Sequence, residues 1–153
     1  MDFSKLAVLR NKKDLTQREM AKILSISKST YARWETQEEI IPLRHLVNFC
    51  NYFKVTIDYI LDLYGENNFD NYDYTKKIDK TKIGNNIKII RKKYKLTQND
   101  LAKILNTSQS TISAYESGKT LVLTAFMYGV ACHFNLSFDE LCGLNKEHDI
   151  IKI

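Results

Sequence analysis

Residues 15–24 read LTQREMAKIL, and residues 96–105 read LTQNDLAKIL. Seven of the ten positions are identical, and the second segment starts 81 residues after the first. The same displacement carries Asp58 onto Asp139 without a gap. Unrelated helical segments would not keep register over such a distance, so the chain contains an internal duplication.

The duplication divides the chain into four parts. The two copies span residues 1–63 and 83–144, residues 64–82 form a linker, and residues 145–153 form a tail. The linker contains four aromatic residues: Tyr64, Phe69, Tyr72 and Tyr74. Because a free spacer is poor in aromatic side chains, we expect the linker to dock on the copies or to form helix.

Basic charge is concentrated in two places along the chain. The 153 residues carry a formal net charge of +5, with a pI of about 9.0. Residues 1–35 hold eight Lys or Arg against four Asp or Glu, and residues 83–119 hold seven against two. This clustering favours a polyanionic partner, although a basic surface without any partner would give the same total.

Several classes of protein are disfavoured by the composition. Cys50, Cys132 and Cys142 are odd in number and lack a C-x-x-C spacing, which indicates reduced thiols in a cytoplasmic protein rather than disulfides or zinc ligands. The uncharged stretch over residues 120–138 contains Gly, His and Asn, so we do not expect it to span a membrane. The histidines lack metal-ligand spacing, and no glycine-rich phosphate loop or nucleophile motif is present. We therefore expect no metal, no cofactor and no enzymatic activity.

The first copy shows two adjacent helix starts. Thr16 is placed as an N-cap, with Glu19 three residues later to complete a capping box. Ser27 is the next N-cap, and Tyr31 and Trp34 can turn inward together because they lie three residues apart. Two short helices joined by a tight turn form a helix-turn-helix arrangement.

A fourth helix starting at Pro42 and a short fifth helix over residues 57–63 complete the first copy. The second copy repeats the pattern. The sequence therefore predicts an all-α fold made of two tandem five-helix domains.

The motifs L-T-Q-x-x-[ML]-A-K-I-L and S-x-S-T-x-x-x-[WY]-E occur in order in both copies. Together they resemble the Cro and phage-repressor type of helix-turn-helix domain, the Xre family. The endings V-T-I-D-Y-I-L and L-S-F-D-E-L resemble the last helix of that family. The resemblance covers both copies, and it implies a lambda-repressor-like fold whose third helix lies in the major groove of double-stranded DNA.

The resemblance assigns an exposed face to the third helix of each copy. In the first copy this face, here called the first recognition face, consists of Lys28, Ser29, Ala32 and Arg33. In the second copy the second recognition face consists of Gln109, Ser110, Ser113 and Ala114. Lys and Arg can donate to guanine, and Gln can pair with adenine. An ordinary solvated helix face is the alternative, and it is a stronger alternative for the second copy, which has no cation there.

The family pattern implies other roles for positions outside the recognition faces. Gln17 and Gln98 start the second helix of each copy, where family members commonly contact a phosphate. Arg18 is expected to add sequence-independent attraction to DNA. The family pattern also suggests that Arg10 pairs with Glu35 and that Arg91 pairs with Glu116. We interpret these as structural ion pairs rather than DNA contacts.

The fourth helix differs most between the copies. Four first-copy residues, Arg44, His45, Asn48 and Asn51, are replaced by Ala125, Phe126, Gly129 and Cys132. A helix that is apolar all round is usually buried all round, so these four residues are predicted to form an interface. The expected partner is a second chain, giving a homodimer through the second domain. A richer local core, or packing of the second copy on the first, are the alternatives.

Two functions fit these observations. The first is a sequence-specific DNA-binding transcriptional regulator, most simply a repressor. The second is a protein-interaction module, antitoxin-like or anti-regulator, in which the second domain binds a protein partner.

Overall fold

The computed structural model describes residues 1–63 and 71–146, and within them it contains ten helices and no β-strand. The first copy comprises α1 (Lys5–Lys12), α2 (Gln17–Ile23), α3 (Lys28–Glu35), α4 (Leu43–Phe53) and α5 (Ile57–Ile60). The second copy comprises α6 (Lys80–Lys93), α7 (Gln98–Ile104), α8 (Gln109–Glu116), α9 (Thr124–Phe134) and α10 (Phe138–Leu141). The predicted fold class, all-α with two tandem helix-turn-helix domains, is confirmed. Tyr64 and Phe69 of the linker and residues 147–153 of the tail lie outside the described residues.

Side-chain caps fix where the helices begin. In the first copy, the Glu19 backbone N–H donates to the Thr16 hydroxyl at 3.2 Å, and the Thr16 N–H donates to the Glu19 carboxylate at 2.8 Å. Thr97 and Asp100 form the same capping box at 3.1 and 2.8 Å. These reciprocal bonds satisfy two backbone N–H groups that a helix start leaves without an intrahelical partner.

Some boundaries differ from the sequence prediction. Helix α6 begins at Lys80, three residues before the predicted start of the second copy, because the Asp79 carboxylate accepts from the Thr81 and Lys82 N–H groups at 2.9 and 3.2 Å. Pro42 occupies the N-cap position of α4, one residue outside the helix. Helix α5 is shorter than predicted and ends at Ile60.

The turns of the two copies share an unusual backbone conformation. Ten described residues have a positive φ, and they form five pairs with the same displacement of 81 residues, among them Gln37 with Gly118. A positive φ is disfavoured for residues with a Cβ, so such residues mark positions where the fold dictates the turn. The match shows that the duplicated sequence folds into duplicated turns as well as duplicated helices.

A buried aromatic pair anchors α3. Tyr31 and Trp34 are 0% and 2% exposed, and their rings meet edge to face at a centroid distance of 6.3 Å. In α8 the corresponding positions hold Ile112 and Tyr115, which are also buried. Each pair fixes which side of its helix faces the core and leaves the opposite side toward solvent.

The two copies contact each other through their last helices. The Asp58 carboxylate accepts from the Phe138 N–H at 2.8 Å and from the Ser137 hydroxyl at 2.5 Å. In return, the Asp139 carboxylate accepts from the Ile57 and Asp58 N–H groups at 2.9 and 3.1 Å. Each aspartate therefore satisfies the free N–H groups at the start of the other copy's helix, where the helix dipole also favours negative charge.

The pair of aspartates is buried, with Asp58 9% exposed and Asp139 3% exposed. Burial raises the pKa of Asp139 well above its usual range, and the neighbouring Asp58 carboxylate raises it further. Such raising is expected where a charged group loses solvent and faces a like charge.

The part of the linker that the structure describes docks on both copies. Tyr72 is fully buried, and the neighbouring Asp73 N–H donates to the Leu144 carbonyl at 2.8 Å. On the first-copy side, the Asn51 amide donates to the Lys76 carbonyl at 3.3 Å. The described buried residues of both copies and Tyr72 accordingly belong to one hydrophobic cluster.

Candidate DNA interface

Helix α3 presents the first recognition face to solvent. Its start is fixed by Ser27, whose hydroxyl accepts from the Thr30 N–H at 3.1 Å. Lys28, Ser29 and Arg33 are exposed, opposite the buried aromatic pair of the same helix. The structure therefore exposes three of the four residues of the first recognition face on one side of α3, and Ala32 of the same face is half-buried.

Arg33 has an acidic neighbour on this face. Its Nε lies 3.1 Å from a carboxylate oxygen of Glu39, and the two side chains are 47% and 44% exposed. An exposed pair of this kind contributes roughly 0–1 kcal/mol to stability, so it can open when a stronger anion or a base edge arrives. Glu39 has no acidic counterpart in the second copy, where the corresponding residue is Thr120.

Helix α8 presents the second recognition face in the same way. Its N-cap Ser108 accepts from the Thr111 N–H at 3.1 Å. Gln109 and Ser110 are exposed, and Ser113 is half-buried. This face is polar but uncharged, so it offers both hydrogen-bond donors and acceptors where the first face offers mainly cationic donors.

Each of the two predicted ion pairs joins the first helix of a copy to its third helix. Arg10 Nε lies 2.6 Å from Glu35 Oε1, and Arg91 Nε lies 2.5 Å from Glu116 Oε1, with both guanidinium groups bidentate. The four side chains are 4–12% exposed. Each arginine also donates to a backbone carbonyl just before the next helix, which ties the first helix to the helix-turn-helix unit.

Opposing effects act on the pKa of each glutamate in these pairs. Burial alone would raise the pKa of Glu35, but hydrogen bonds from Arg10 and Gln17 bring it below its usual value. The pKa of Glu116 is likewise lowered, against burial, by the hydrogen bonds from Arg91 and Gln98. Both glutamates are therefore held ionised, and their carboxylates accept hydrogen bonds from Gln17 and Gln98.

Gln17 and Gln98 connect the ion pairs to the surface. Each side-chain amide donates to the glutamate behind it, at 2.9 Å for Gln17 and 3.0 Å for Gln98. In the second copy, the Gln98 amide oxygen accepts from the Gln109 amide at 2.7 Å. A chain of bonds from Glu116 thus orients Gln109, which sequence reasoning missed because it treated the two glutamines as separate contacts. Gln17, Gln98 and Gln109 each keep one side-chain amide N–H for a phosphate or a base.

Arg18 and Lys13, two basic residues of the first copy, have different surroundings. Arg18 is exposed at the start of α2, where the sequence predicted a phosphate contact. Lys13 instead lies over the rings of Tyr52 and Phe53, with its Nζ 4.7 and 5.3 Å from their centroids. Such cation–π contacts hold an ammonium group near an aromatic face without neutralising it.

The four residues predicted to form an interface on α9 do not share one environment. Phe126 is buried against Tyr115 of its own copy, with ring centroids 4.8 Å apart, and Gly129 lies under the side chain of Leu105. Ala125 and Cys132 are exposed. In the first copy, His45 stacks on Trp34 at the position corresponding to Phe126, so the apolar replacement there follows a local core contact.

The contact between α5 and α10 was not predicted. Asp58 and Asp139 were recognised as corresponding positions of the duplication, but no role was assigned to them. The available signal was an aspartate in the first turn of a short apolar helix in both copies, because a buried carboxylate needs donors.

In residues 1–63 and 71–146, no group of His, Cys, Asp and Glu side chains is arranged to hold a metal ion. No helix in the described part of the chain has the length and apolar character needed to cross a membrane. The three cysteines are free thiols, with Cys50 and Cys142 buried.

A family model identifies the type of domain. A helix-turn-helix family model matches twice, at residues 6–60 and 87–141. Antitoxin PezA from Streptococcus pneumoniae serotype 4 is 38% identical over 64 residues, which cover 42% of this chain and 40% of PezA. A solved structure of a transcriptional regulator from Listeria innocua is 27% identical, covers 46% of this chain and 64% of that chain, and has a TM-score of 0.39. The chain belongs to the Xre-type helix-turn-helix family, a family of DNA-binding regulators, and carries two of its domains in tandem.

Proposed function

We propose that this protein is a sequence-specific transcriptional regulator that represses by occupying a promoter. The observation that carries the proposal is the pair of recognition faces. Each is exposed on a third helix whose opposite side is anchored by buried side chains. Rigid presentation of polar side chains on one helix face is what readout of the major groove requires.

The first recognition face supplies most of the affinity in this proposal. Lys28 and Arg33 carry only donors, which match the paired O6 and N7 acceptors of guanine, and Ser29 can serve either base type. Arg18 and Gln17 stand beside them and add phosphate contacts that position the helix without reading sequence. Displacement of Glu39 from Arg33 accompanies binding.

The second recognition face has a weaker electrostatic contribution. Gln109 and Ser110 are exposed, Ser113 lies beside them, and Gln98 is the candidate phosphate contact. These side chains can read bases by hydrogen bonding, and Gln109 fits adenine. Contact by this face adds specificity with little of the salt-dependent affinity that lysine and arginine provide.

A second candidate function is supported by the likeness to Antitoxin PezA. That protein is an antitoxin by name, and the chain spans about 40% of its length. The uncharged second recognition face fits a module that binds a protein instead of DNA. In this alternative, the first domain contacts DNA and the second domain holds a protein partner.

Assembly and location remain predictions. A homodimer through α9 would use the exposed Ala125 and Cys132, since Phe126 and Gly129 pack within their own copy. Sedimentation velocity of the full chain across a concentration series checks this. The cytoplasmic location and the lack of enzymatic activity expected from the sequence likewise stay as predictions.

The proposal is tested by selecting bound duplexes from a random DNA pool at near-physiological salt, with the full chain as bait. We expect an enriched motif, and we expect a double variant, Lys28→Ala with Arg33→Ala, to lose it. A control that removes the same charge elsewhere, Lys77→Ala with Lys146→Ala, is expected to keep it. Absence of any enriched motif with the unaltered chain would overturn the proposal and favour the protein-interaction function.

Repression is tested separately with a reporter gene whose promoter contains the selected motif. Expression of the unaltered chain is expected to lower the reporter signal, while the Lys28→Ala, Arg33→Ala variant leaves it unchanged. A rise in the signal with the unaltered chain would identify an activator instead.

A further inference from the structure

The contact between the two copies has the form of a dimer interface within one chain. Asp58 accepts hydrogen bonds from the start of α10, and Asp139 accepts hydrogen bonds from the start of α5. Asp58 and Asp139 occupy the same position in their copies. In a two-fold interface, a residue of one half contacts the other half, and the corresponding residue of the other half contacts the first half in the same way.

A second pair of matching segments meets across the same boundary. Residues 40–45 of the first copy and residues 121–125 of the second line one apolar groove, and the two ranges correspond in the duplication. Thr124 Oγ1 closes this boundary by donating to the Ile41 carbonyl at 2.6 Å. The two-fold relation therefore extends from the last helices to the starts of α4 and α9.

The linker holds this arrangement together. Tyr72 is buried and lies opposite Asn145 in an antiparallel bridge, in which the Asp73 N–H donates to the Leu144 carbonyl and the Lys146 N–H donates to the Asn71 carbonyl. The Tyr74 hydroxyl and Asn51 make bonds between the linker and the first copy. One chain thus contains both halves of a two-fold unit and the segment that joins them.

We infer that a single chain lays α3 and α8 on two half-sites of one duplex, and that these half-sites differ in sequence. The inference rests on the proposed function. Points related by a two-fold axis have the same position along that axis. The two recognition helices, α3 and α8, therefore lie on the same side of the unit. A homodimer of identical chains would read two identical half-sites, whereas this unit carries two unlike recognition faces.

The chemistry of the faces indicates how the half-sites differ. Lys28 and Arg33 are replaced by Gln109 and Ala114 at the corresponding positions of α8. The half-site under α3 is expected to contain guanines, since donor-only side chains pair with the O6 and N7 acceptors. The half-site under α8 is expected to contain an adenine opposite Gln109, whose side chain is already held by Gln98.

The experiment starts from the motif selected by the full chain. Three duplexes are made from its two halves: the composite site, a palindrome of the α3 half-site, and a palindrome of the α8 half-site. Affinity is measured by fluorescence anisotropy, and the number of chains per duplex by native mass spectrometry. We expect one chain per composite site, and each palindrome is expected to bind on the order of 10-fold more weakly for this single-chain complex.

Exchange of the faces provides the decisive variant. The triple substitution Gln109→Lys, Ser113→Ala, Ala114→Arg gives α8 the first recognition face, and we expect it to prefer the palindrome of the α3 half-site by on the order of 10-fold. The reverse triple substitution, Lys28→Gln, Ala32→Ser, Arg33→Ala, is expected to prefer the other palindrome. The reverse exchange keeps the test valid if the first variant does not fold, which circular dichroism would report.

The outcomes separate this inference from the proposed function. Two chains on two copies of one half-site, or one chain on a single half-site, would overturn the inference and leave a sequence-specific DNA-binding protein. Loss of any selected motif would overturn the proposed function itself. One chain on two unlike half-sites, with preference following the exchanged face, is the result expected here.

Discussion

The first and second copies share their internal framework and differ in what they present to solvent. Arg10 and Glu35 pair as Arg91 and Glu116 do, with the same bidentate contact, a glutamine donor to each carboxylate and nearly the same burial. In contrast, the two cations of the first recognition face have no counterpart in the second. The residues of these ion pairs have therefore stayed alike after duplication, while the exposed recognition positions have become different.

The ion pairs give the largest expected effect and test whether the frameworks are alike. Arg10→Met would leave Glu35 buried without its guanidinium partner, which costs about 3–5 kcal/mol of unfolding free energy. Arg91→Met is expected to cost the same within about 1 kcal/mol, since the corresponding arginine and glutamine donate to Glu116. Urea denaturation followed by circular dichroism measures both values. A large loss for only one of the two variants would mean that the two frameworks are not energetically alike.

The pH dependence of these variants follows from the lowered pKa values of Glu35 and Glu116. A group with a lowered pKa in the folded state stabilises the protein above its unfolded value, and the contribution is lost as the pH falls through the folded value. The difference between the unaltered chain and Arg10→Met should therefore shrink as the pH falls below about 4.5. A difference that is constant from neutral to strongly acidic pH would contradict the assigned pair.

The reciprocal aspartates provide a smaller effect with an internal asymmetry. In Asp139→Asn, one of the two backbone N–H donors would face an amide NH₂ instead of an oxygen, which costs about 1–3 kcal/mol. Asp58→Asn should cost less, because its amide oxygen can keep the Phe138 N–H and its NH₂ can donate to the Ser137 hydroxyl. Thermal unfolding compares the two variants. A larger loss for Asp58→Asn would contradict the hydrogen-bond assignment.

The sign of the pH effect at this contact is opposite to that of the ion pairs. Because the pKa of Asp139 is raised in the folded state, its contribution is present below the unfolded value and is lost as the pH rises through the folded value. The stability of the unaltered chain relative to Asp139→Asn should therefore decrease with rising pH. An increase would indicate that the N–H donors outweigh burial and the neighbouring Asp58.

The turn at Gln37 and Gly118 gives the smallest effect. Both residues have a positive φ, at 62° and 68°. Gln37→Gly relieves the backbone and is expected to raise the unfolding free energy by less than about 1 kcal/mol. Gly118→Ala is expected to lower it by more than this amount, because the new Cβ would also lie 2.9 Å from Thr81. Equal changes of the same sign in the unfolding free energies of the two variants would contradict the expected difference between the two turns.

Features determined by local sequence were predictable. The capping boxes at Thr16 and Thr97 were identified from residue spacing, and the inward positions of Tyr31 and Trp34 follow from helical periodicity. The exposed positions of Lys28 and Arg33 follow from the same periodicity. These features depend on neighbours within one or two helical turns, so a single sequence contains the information.

Features that depend on packing between distant segments were not predictable. Nothing local to Asp58 indicates that it caps a helix about 80 residues away, as its bond to Phe138 shows. The apolar character of Phe126 predicts an outward interface, yet the side chain packs on Tyr115 of its own copy. Hydrophobicity indicates that a residue is buried but does not identify the surface that buries it.

A hydroxyl-radical footprint on the selected composite duplex shows whether α3 and α8 each contact DNA. The unaltered chain is expected to protect two half-sites. Lys28→Ala with Arg33→Ala should erase protection of the half-site under α3. Gln109→Ala with Ser113→Ala should weaken protection of the half-site under α8 only. Both double variants leaving the footprint unchanged would contradict the assignment of α3 and α8 as the two DNA readers of this chain.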